Sequence, residues 1–286
     1  MIPWLDADRK WAIRMADSVW LPTDTSSGEA ESLLTDPRWA LQEKCDGIHV
    51  VLERVASGLA ATNRRGEPRA VNGVLIKPLE PLPIGTMLDG EWLHSGSYVA
   101  FDVLRVGEMD LRPNRYEVRY AVLEDLFRRA ILPVREIELV LHAVDRPGKD
   151  ALIDTLRRES AEGVIFKYLD APYTHGRPIE GGTMRRWKWR KRADVLVGRR
   201  PDDTTRSFEM FAFGNGELVN LGSVSAHRFY DALPPQAVAI GEVEYLYASP
   251  ALKLVQPTLL RWRPDKKKED CTVDQLEIGG RFKVAS

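Results

Sequence analysis

The stretch ALQEKCDGIHVVLER, residues 40 to 54, sets one lysine, Lys44, inside a strand-like run and interrupts that run at Asp46-Gly47 before it resumes. A lysine just ahead of a break in a strand is ordinarily a solvated surface charge, so what lies elsewhere along the chain decides its meaning. Around it, residues 38 to 43, 48 to 54 and 58 to 63 read as strands, the last two joined by a turn at Ala56-Ser57-Gly58.

The chain has 286 residues, 44% hydrophobic and 29% charged, the composition of a globular protein long enough for one large or two modest domains, each able to bury a core. Charges occur throughout the first twenty residues (Asp6, Asp8, Arg9, Lys10, Arg14, Asp17), and no apolar run approaches the roughly 18 residues that span a bilayer. The expectation is a protein with no membrane partner and no secretory signal. Cys45 and Cys271 are its only cysteines, too few for a four-cysteine zinc site or a disulfide framework, which points to a reducing cytoplasm. Net charge is −1, so any affinity for nucleic acid must come from local clusters.

Two such clusters occur. Residues 185 to 192 read RRWKWRKR, and RWRPDKKK begins at Arg261. If the first is one strand, Trp187 and Trp189 share a packed face while Lys188, Arg190 and Arg192 form a row of cations on the other.

Onward from residue 63 the pattern stays mixed. A helix is expected at 5 to 20, a loop at Pro78, Pro81 and Pro83, and strands in TMLDGEWL (86 to 93) and SYVAFDVL (97 to 104). A helix over 115 to 130 would bury Tyr116, Tyr120, Leu123 and Phe127. Strand 138 to 144, helix 148 to 159 and strand 163 to 168 complete a first domain, residues 1 to 192. Residues 193 to 286 change texture to short strands with glycine turns and one short helix near 226 to 233, a pattern that suggests a small β-barrel of the OB type.

Against this map several chemically matched pieces follow Lys44 in order: KCDG (44 to 47), NRRG (63 to 66), DGE (89 to 91), YVAFDVL (98 to 104), EGVIFK (162 to 167), WKWR (187 to 190) and RWRPDK (261 to 266). Together they resemble the motifs of the covalent nucleotidyltransferases, and most closely the ATP-dependent DNA ligases. EGVIFKYLDAPYTHGR is the most ligase-like segment. The resemblance implies an α+β fold: a nucleotidyltransferase (ATP-grasp-like adenylation) domain of antiparallel sheets and helices, followed by a C-terminal OB-fold β-barrel. It covers those two domains and implies a minimal enzyme without an additional DNA-binding domain.

The chemistry asks for these residue types. A lysine nucleophile splits one hard condensation into easier transfers by holding AMP as a phosphoramidate, and it attacks as the neutral amine, which neighbouring cations favour. By resemblance Lys44 is that nucleophile, and Lys167 and Lys188 bind the α-phosphate. Glu91 and Glu162 suit Mg²⁺ (or Mn²⁺), which takes few protein oxygens besides phosphates and water, and Glu91 would also contact the ribose. Phe101 would stack on adenine, Gln42 would pair with the adenine edge, and Glu43, His49, Trp187 and Arg190 would complete the nucleotide contacts, although Trp187 and Trp189 also read as packing residues. Arg64 would meet the ribose and the nicked-strand phosphate. Arg64, Arg65, Arg190, Lys191 and Arg192 would hold DNA. Arg263 and Lys266 would act on the β- and γ-phosphates from the OB domain, closing over ATP and then swinging away.

Two positions depart from the pattern. His49 stands where KxDGxR carries arginine, which makes a permanent charge titratable, and Arg190 replaces the second lysine of a Lys-x-Lys motif, a fork for a point charge. The reading is a monomeric ATP-dependent ligase that seals 5′-phosphate/3′-hydroxyl nicks in duplex DNA, bacterial or viral in origin. NAD as donor is disfavoured because the zinc cysteines and much of the length of NAD-dependent ligases are absent. The alternatives are an RNA ligase or GTP-using capping enzyme of the same superfamily, or a non-catalytic OB-fold nucleic-acid binder.

Overall fold

The structure, a computed structural model, describes residues 19–71, 73–93, 95–131, 134–179, 181–199, 206–225, 229–234 and 237–279. The helix expected at 5 to 20 therefore lies outside the described residues apart from its last two positions; of the expected 226 to 233 helix, residues 226 to 228 also lie outside them and the remainder holds a 3₁₀ turn at Tyr230–Ala232.

The chain divides into two compact units. The first comprises residues 1–157 and 163–187 with 285–286, and the second 158–162 and 188–284. In chain order the elements that carry the first unit are β1 (Thr23–Asp24), α1 (Ser27–Thr35), β2 (Trp39–Glu43), β3 (Gly47–Val55), β4 (Gly58–Asn63), β5 (Pro68–Arg69), α2 (Ile76–Leu79), β6 (Met87–Leu93), β7 (Tyr98–Val106), β8 (Met109–Asp110), α3 (Tyr116–Arg129), β9 (Ile137–Leu139), β10 (His142–Ala143), α4 (Arg146–Arg158), β11 (Gly163–Tyr168) and β12 (Met184–Lys188). They form two sheets, one ordered β1-β12-β11-β2-β10 and the other β5-β4-β3-β6-β7-β8, with β9 added beside β7.

The expected strands around Lys44 form where apolar runs meet partners in register, and β2 is buried at all of its positions. β3 pairs antiparallel with β4 and with β6, which sets His49 opposite Glu91 and Val51 opposite Asp89. Gly90 is required where it stands: a Cβ there would lie 2.4 Å from the Tyr98 ring and 2.5 Å from the Val99 carbonyl oxygen. α3 buries Tyr116, Tyr120 and Leu123 with Phe127 half-buried, the face its spacing predicts, but Arg119 is fully buried on that face as well. α1 starts with a capping box, Ser26 and Glu29 each bonding the other's backbone N–H at 3.3 and 2.8 Å.

Three local expectations change. The predicted proline loop holds helix α2, because Pro78 falls in its first turn, where a missing N–H costs no hydrogen bond. The strand expected at 138 to 144 is two strands in different sheets: the chain crosses between them where Val140 N–H donates to the Ala100 carbonyl (2.9 Å) and the Leu141 carbonyl accepts from Glu43 N–H (3.2 Å). The basic run is not one strand either. Arg185 and Arg186 pair with Thr23 and Asp24 in β1, while residues from Lys191 onward pair with Tyr245 and its neighbours, and Trp189 N–H turns aside to the Glu162 carbonyl at 3.0 Å. The single strand expected over 185 to 192 therefore does not form, although Lys188 and Arg190 meet at Gln256 and Arg190 and Arg192 meet at Glu244.

The second unit is one antiparallel sheet made of β13 (Lys191–Arg199), β14 (Ser207–Gly214), β15 (Glu217–Ser225), β16 (Val238–Tyr245) and β17 (Thr258–Trp262), ordered β15-β14-β13-β16-β17. Its core joins Val195, Val197, Phe208, Met210, Leu221 and Val243, the inward positions of alternating strands.

Candidate active site

Lys44 follows β2 directly, and its backbone N–H donates to the Gly163 carbonyl at 3.0 Å, which fixes it beside the start of β11. The β2–β11 register pairs Gln42 with Ile165 and Ala40 with Lys167, so continued alternation carries Lys44 on the same face as Gln42, Ile165 and Lys167. The Lys44 ammonium is half-buried, 3.4 Å from the Cys45 carbonyl. Gly47 does not serve a turn. It opens β3, and a Cβ there would sit 2.3 Å from the Trp92 carbonyl oxygen, so strand packing itself demands glycine.

Beside it opens a cleft of about 330 Å³ lined by Gly47, Ile48, His49, Asn63, Arg64, Arg65, Arg69 and Glu91. Four of the expected site residues thus meet in one place. The arginine turn is pre-shaped: Asn63 Oδ1 accepts from the N–H groups of Arg65 (2.8 Å) and Glu67 (3.1 Å), and Asn63 Nδ2 donates to Glu67 Oε2 at 2.6 Å. Arg64 and Arg65 are exposed at its tip.

His49 does not stand free as a substitute for arginine, because its Nε2 is engaged by Asp89. Burial pushes the imidazole pKa down, but the Asp89 carboxylate and its hydrogen bond outweigh burial and hold it above the usual histidine value. Burial conversely pushes Asp89 up, and the His49 charge, with hydrogen bonds from His49 and Tyr173, brings it below the usual carboxylate range. Tyr173 Oη donates to Asp89 Oδ2 at 2.6 Å and accepts from Trp20 N–H at 3.0 Å.

Phe101 and Lys167 are joined more closely than the motifs alone implied. Lys167 is 2% exposed, its Nζ 4.9 Å from the centre of the Phe101 ring and 4.7 Å from that of Tyr116. It donates to the Phe101 carbonyl (3.2 Å) and to Asp102 Oδ2 (3.4 Å). Burial lowers its pKa, with Asp102 the main opposing influence. Gln42 is buried, and its Nε2 donates to the same Phe101 carbonyl (3.2 Å) and to Tyr116 Oη (2.6 Å), so its amide nitrogen ties β2 to β7 and α3. Glu43 is also buried.

In the second unit Lys188 Nζ lies 2.6 Å from Glu162 Oε1 and 3.1 Å from Gln256 Oε1, so the two residues expected at phosphate and metal neutralise each other. Arg190 donates to the Gln256 carbonyl at 3.0 Å, Arg190 and Arg192 each lie 3.7 Å from Glu244, and Lys191 lies 2.6 Å from Glu277. Trp187 belongs to the first unit and packs under Arg157, 5.7 Å from the guanidinium to the ring centre, as a packing residue would. Arg263 bonds Asp265 twice (3.0 and 2.8 Å) and Asp194 once (2.8 Å), with Lys266 3.7 Å from Asp194. The Arg263 bond holds the Asp265 carboxyl down to about 2.

Asp89, Asp102 and Tyr173 lie inside the quoted motifs and Tyr116 on the expected helix face, but the sequence reading gives none of them a site role, and Arg119 and Asp194 fall outside it altogether. The available signal was charge inside apolar patterns: Asp89 and Asp102 interrupt strand runs, and Arg119 falls on the apolar stripe of α3.

No family model matches the sequence, and no curated protein matches it. Solved structures do. The mycobacterial DNA ligase D complexed with ATP and MES aligns over 90% of this chain and 98% of its own, with 22% identity and TM-score 0.53. The ligase domain of M. tuberculosis LigD aligns over the same shares with 21% identity and TM-score 0.51. A Lig E DNA ligase, described as binding DNA with a minimal scaffold, aligns over 86% of this chain and 99% of its own, with 15% identity and TM-score 0.62. At these identities the likeness establishes the fold, and it is the two-part α+β fold expected from the sequence.

Proposed function

We propose that the chain is an ATP-dependent DNA ligase in which Lys44 takes AMP from ATP, passes it to the 5′-phosphate of a nick and leaves the 3′-hydroxyl to displace it. The observation that carries this reading is the joining of Lys44 to β11: one backbone bond sets the lysine on the sheet face that bears Lys167, against Phe101 of the neighbouring sheet. A nucleophile and a buried cation on adjoining strands, with an aromatic ring from the other sheet, suit nucleotidyl transfer. The ligases sharing the fold include one in complex with ATP, which supports the same nucleotide here.

In this reading the first domain extends to residue 192 and the OB domain follows. His49 and Glu91 line the ribose side of the cleft, Arg64 and Arg65 receive DNA phosphates at its mouth, and Lys188, Arg190, Lys191 and Arg192 add phosphate contacts. Arg263 and Lys266 orient the departing pyrophosphate once they exchange Asp194 for phosphate oxygens. Among the described residues no three His, Cys, Asp or Glu side chains form a ready-made metal cage. Glu91 in the cleft nevertheless fits Mg²⁺, which is commonly held by one or two carboxylates completed by substrate phosphates. Such an ion would neutralise charge on the reacting phosphates.

The deciding experiment is incubation with α-labelled ATP or GTP and Mg²⁺, followed by denaturing electrophoresis. Label from ATP that disappears in Lys44→Ala, with sealing of a pre-adenylated nick retained, is the expected result. Label from GTP would indicate a capping-type enzyme, and an unlabelled parent chain would overturn the reading in favour of a nucleic-acid binder.

A further inference from the structure

Consecutive side chains of a regular strand point to opposite faces, yet Phe101 and Asp102 both reach one ammonium group. The pairing of β6 with β7 explains it. Asp89 faces Asp102 while the next residue, Gly90, faces Ala100, so the register shifts and Phe101 is the extra residue of a β-bulge. A bulge re-aims side chains at the cost of local ladder order. Here the re-aimed groups are the Phe101 ring and the Asp102 carboxylate, 4.9 and 3.4 Å from Lys167 Nζ.

Asp102 is fully buried, and its four acceptor positions are filled. Oδ1 accepts from Arg119 Nε (2.9 Å) and Val103 N–H (2.9 Å), and Oδ2 accepts from Arg119 Nη2 (3.0 Å) and Lys167 Nζ (3.4 Å). Arg119 is equally buried. Its Nη1 donates to the carbonyls of Asn114 (2.7 Å) and Ala171 (3.2 Å), and its guanidinium lies 5.5 to 5.6 Å from the ring centres of Trp20, Tyr116 and Tyr173. One carboxylate therefore serves two buried cations, of which the aromatic cage immobilises one. Among the described residues the hydrogen bonds of Lys167 account for two of its three N–H donors.

We propose that the Asp102–Arg119 pair, presented by the bulge at Phe101, is a positioning device that clamps Lys167 so that its remaining N–H is held ready for a phosphoryl oxygen of the nucleotide. The proposal rests on the nucleotidyl-transfer reading of the same site. A clamped lysine meets the transition state without reorganising, which is where a fixed donor counts most. Asp102 is then a residue that acts through Lys167 rather than on substrate.

The charged groups influencing the Lys167 ammonium are Asp102 from β7, Arg119 from α3 and Asp89 from β6; the imidazole of His142 in β10 feels its charge in turn. Asp102→Asn removes the largest favourable one. In the folded variant the expected result is a fall of ten- to a hundredfold in kcat for adenylation with a much smaller change in KM for ATP, as for an interaction made mainly in the transition state. The alkaline limb of the pH profile should also move to lower pH, because the lysine loses its counter-charge. A folded Asp102→Asn with lost stability but parental kcat and pH profile would overturn the clamp. Should that variant fail to fold, ¹⁵N spectra of the lysine side chains in the parent chain decide: a slowly exchanging ammonium signal absent from Lys167→Met is expected, and its absence from the parent overturns the proposal. This measurement needs no turnover, so it separates a failed clamp from a failed ligase assignment, which the unlabelled parent would reveal.

Discussion

Lys188 Nζ and Glu162 Oε1 stand 2.6 Å apart, with the glutamate side chain 1% and the lysine 16% exposed. A buried pair of this kind is asymmetric toward mutation. Lys188→Met leaves a carboxylate enclosed without its cation and should cost about 3 kcal/mol or more, whereas Glu162→Gln keeps an acceptor facing a lysine that still reaches water and should cost about 1 kcal/mol. Urea unfolding of both variants checks this, and equal losses would refute the asymmetry.

The His49–Asp89 pair predicts a stability profile with a defined sign. The histidine pKa is raised on folding, so its contribution is complete below the unfolded value of about 6.5 and is lost as pH rises through the higher folded value. The aspartate pKa is lowered, so its contribution is present above about 3.9 and is lost as pH falls through the lower folded value. Stability from this pair should therefore be greatest between roughly pH 4 and 6.5 and decline above it. Urea midpoints from pH 5 to 9 should fall in the parent and flatten over that range in His49→Gln; parallel slopes would exclude His49 as the cause.

Arg263 and Lys266 share Asp194 within the second unit, so neither charge is idle at rest. On the proposed mechanism Arg263→Ala should reduce adenylation by about a hundredfold, the usual loss for one transition-state donor, while sealing of a pre-adenylated nick falls far less. Equal losses in the two assays would recast Arg263 as a DNA contact, and parental rates would leave it a structural partner of Asp194.

Among the expected DNA-binding cations, Arg64 and Arg65 are exposed at the cleft mouth, whereas Lys191 is 2.6 Å from Glu277 and Arg192 is 3.7 Å from Glu244. Arg64→Ala should lower the magnitude of the salt slope for nicked duplex by about 0.9, the loss of one phosphate contact, with little dependence on base sequence. Arg192→Ala should change it less, since that charge is already partly answered. A fluorescence titration across salt concentrations measures both, and the reverse ranking would contradict the assignment.

The strand runs within 39 to 63 and 87 to 106, the stripe on α3 and the order of short motifs after Lys44 were legible in the sequence because they depend on local composition and spacing, and they sufficed for the two-part fold and for naming Lys44, Glu91, Phe101 and Lys167 as candidates. The tertiary structure alone decided three things. The basic run splits between two units because its halves find different strand partners, a non-local choice that residue pattern does not encode. His49 is tied to Asp89, and Lys188 to Glu162, because a charge removed from water takes the nearest opposite charge, whichever part of the chain supplies it. The clamp on Lys167 exists because the extra residue at Phe101, one of two register shifts between β6 and β7, turns Phe101 and Asp102 toward the same cation, and a bulge is created by the register between two strands, which neither strand specifies by itself.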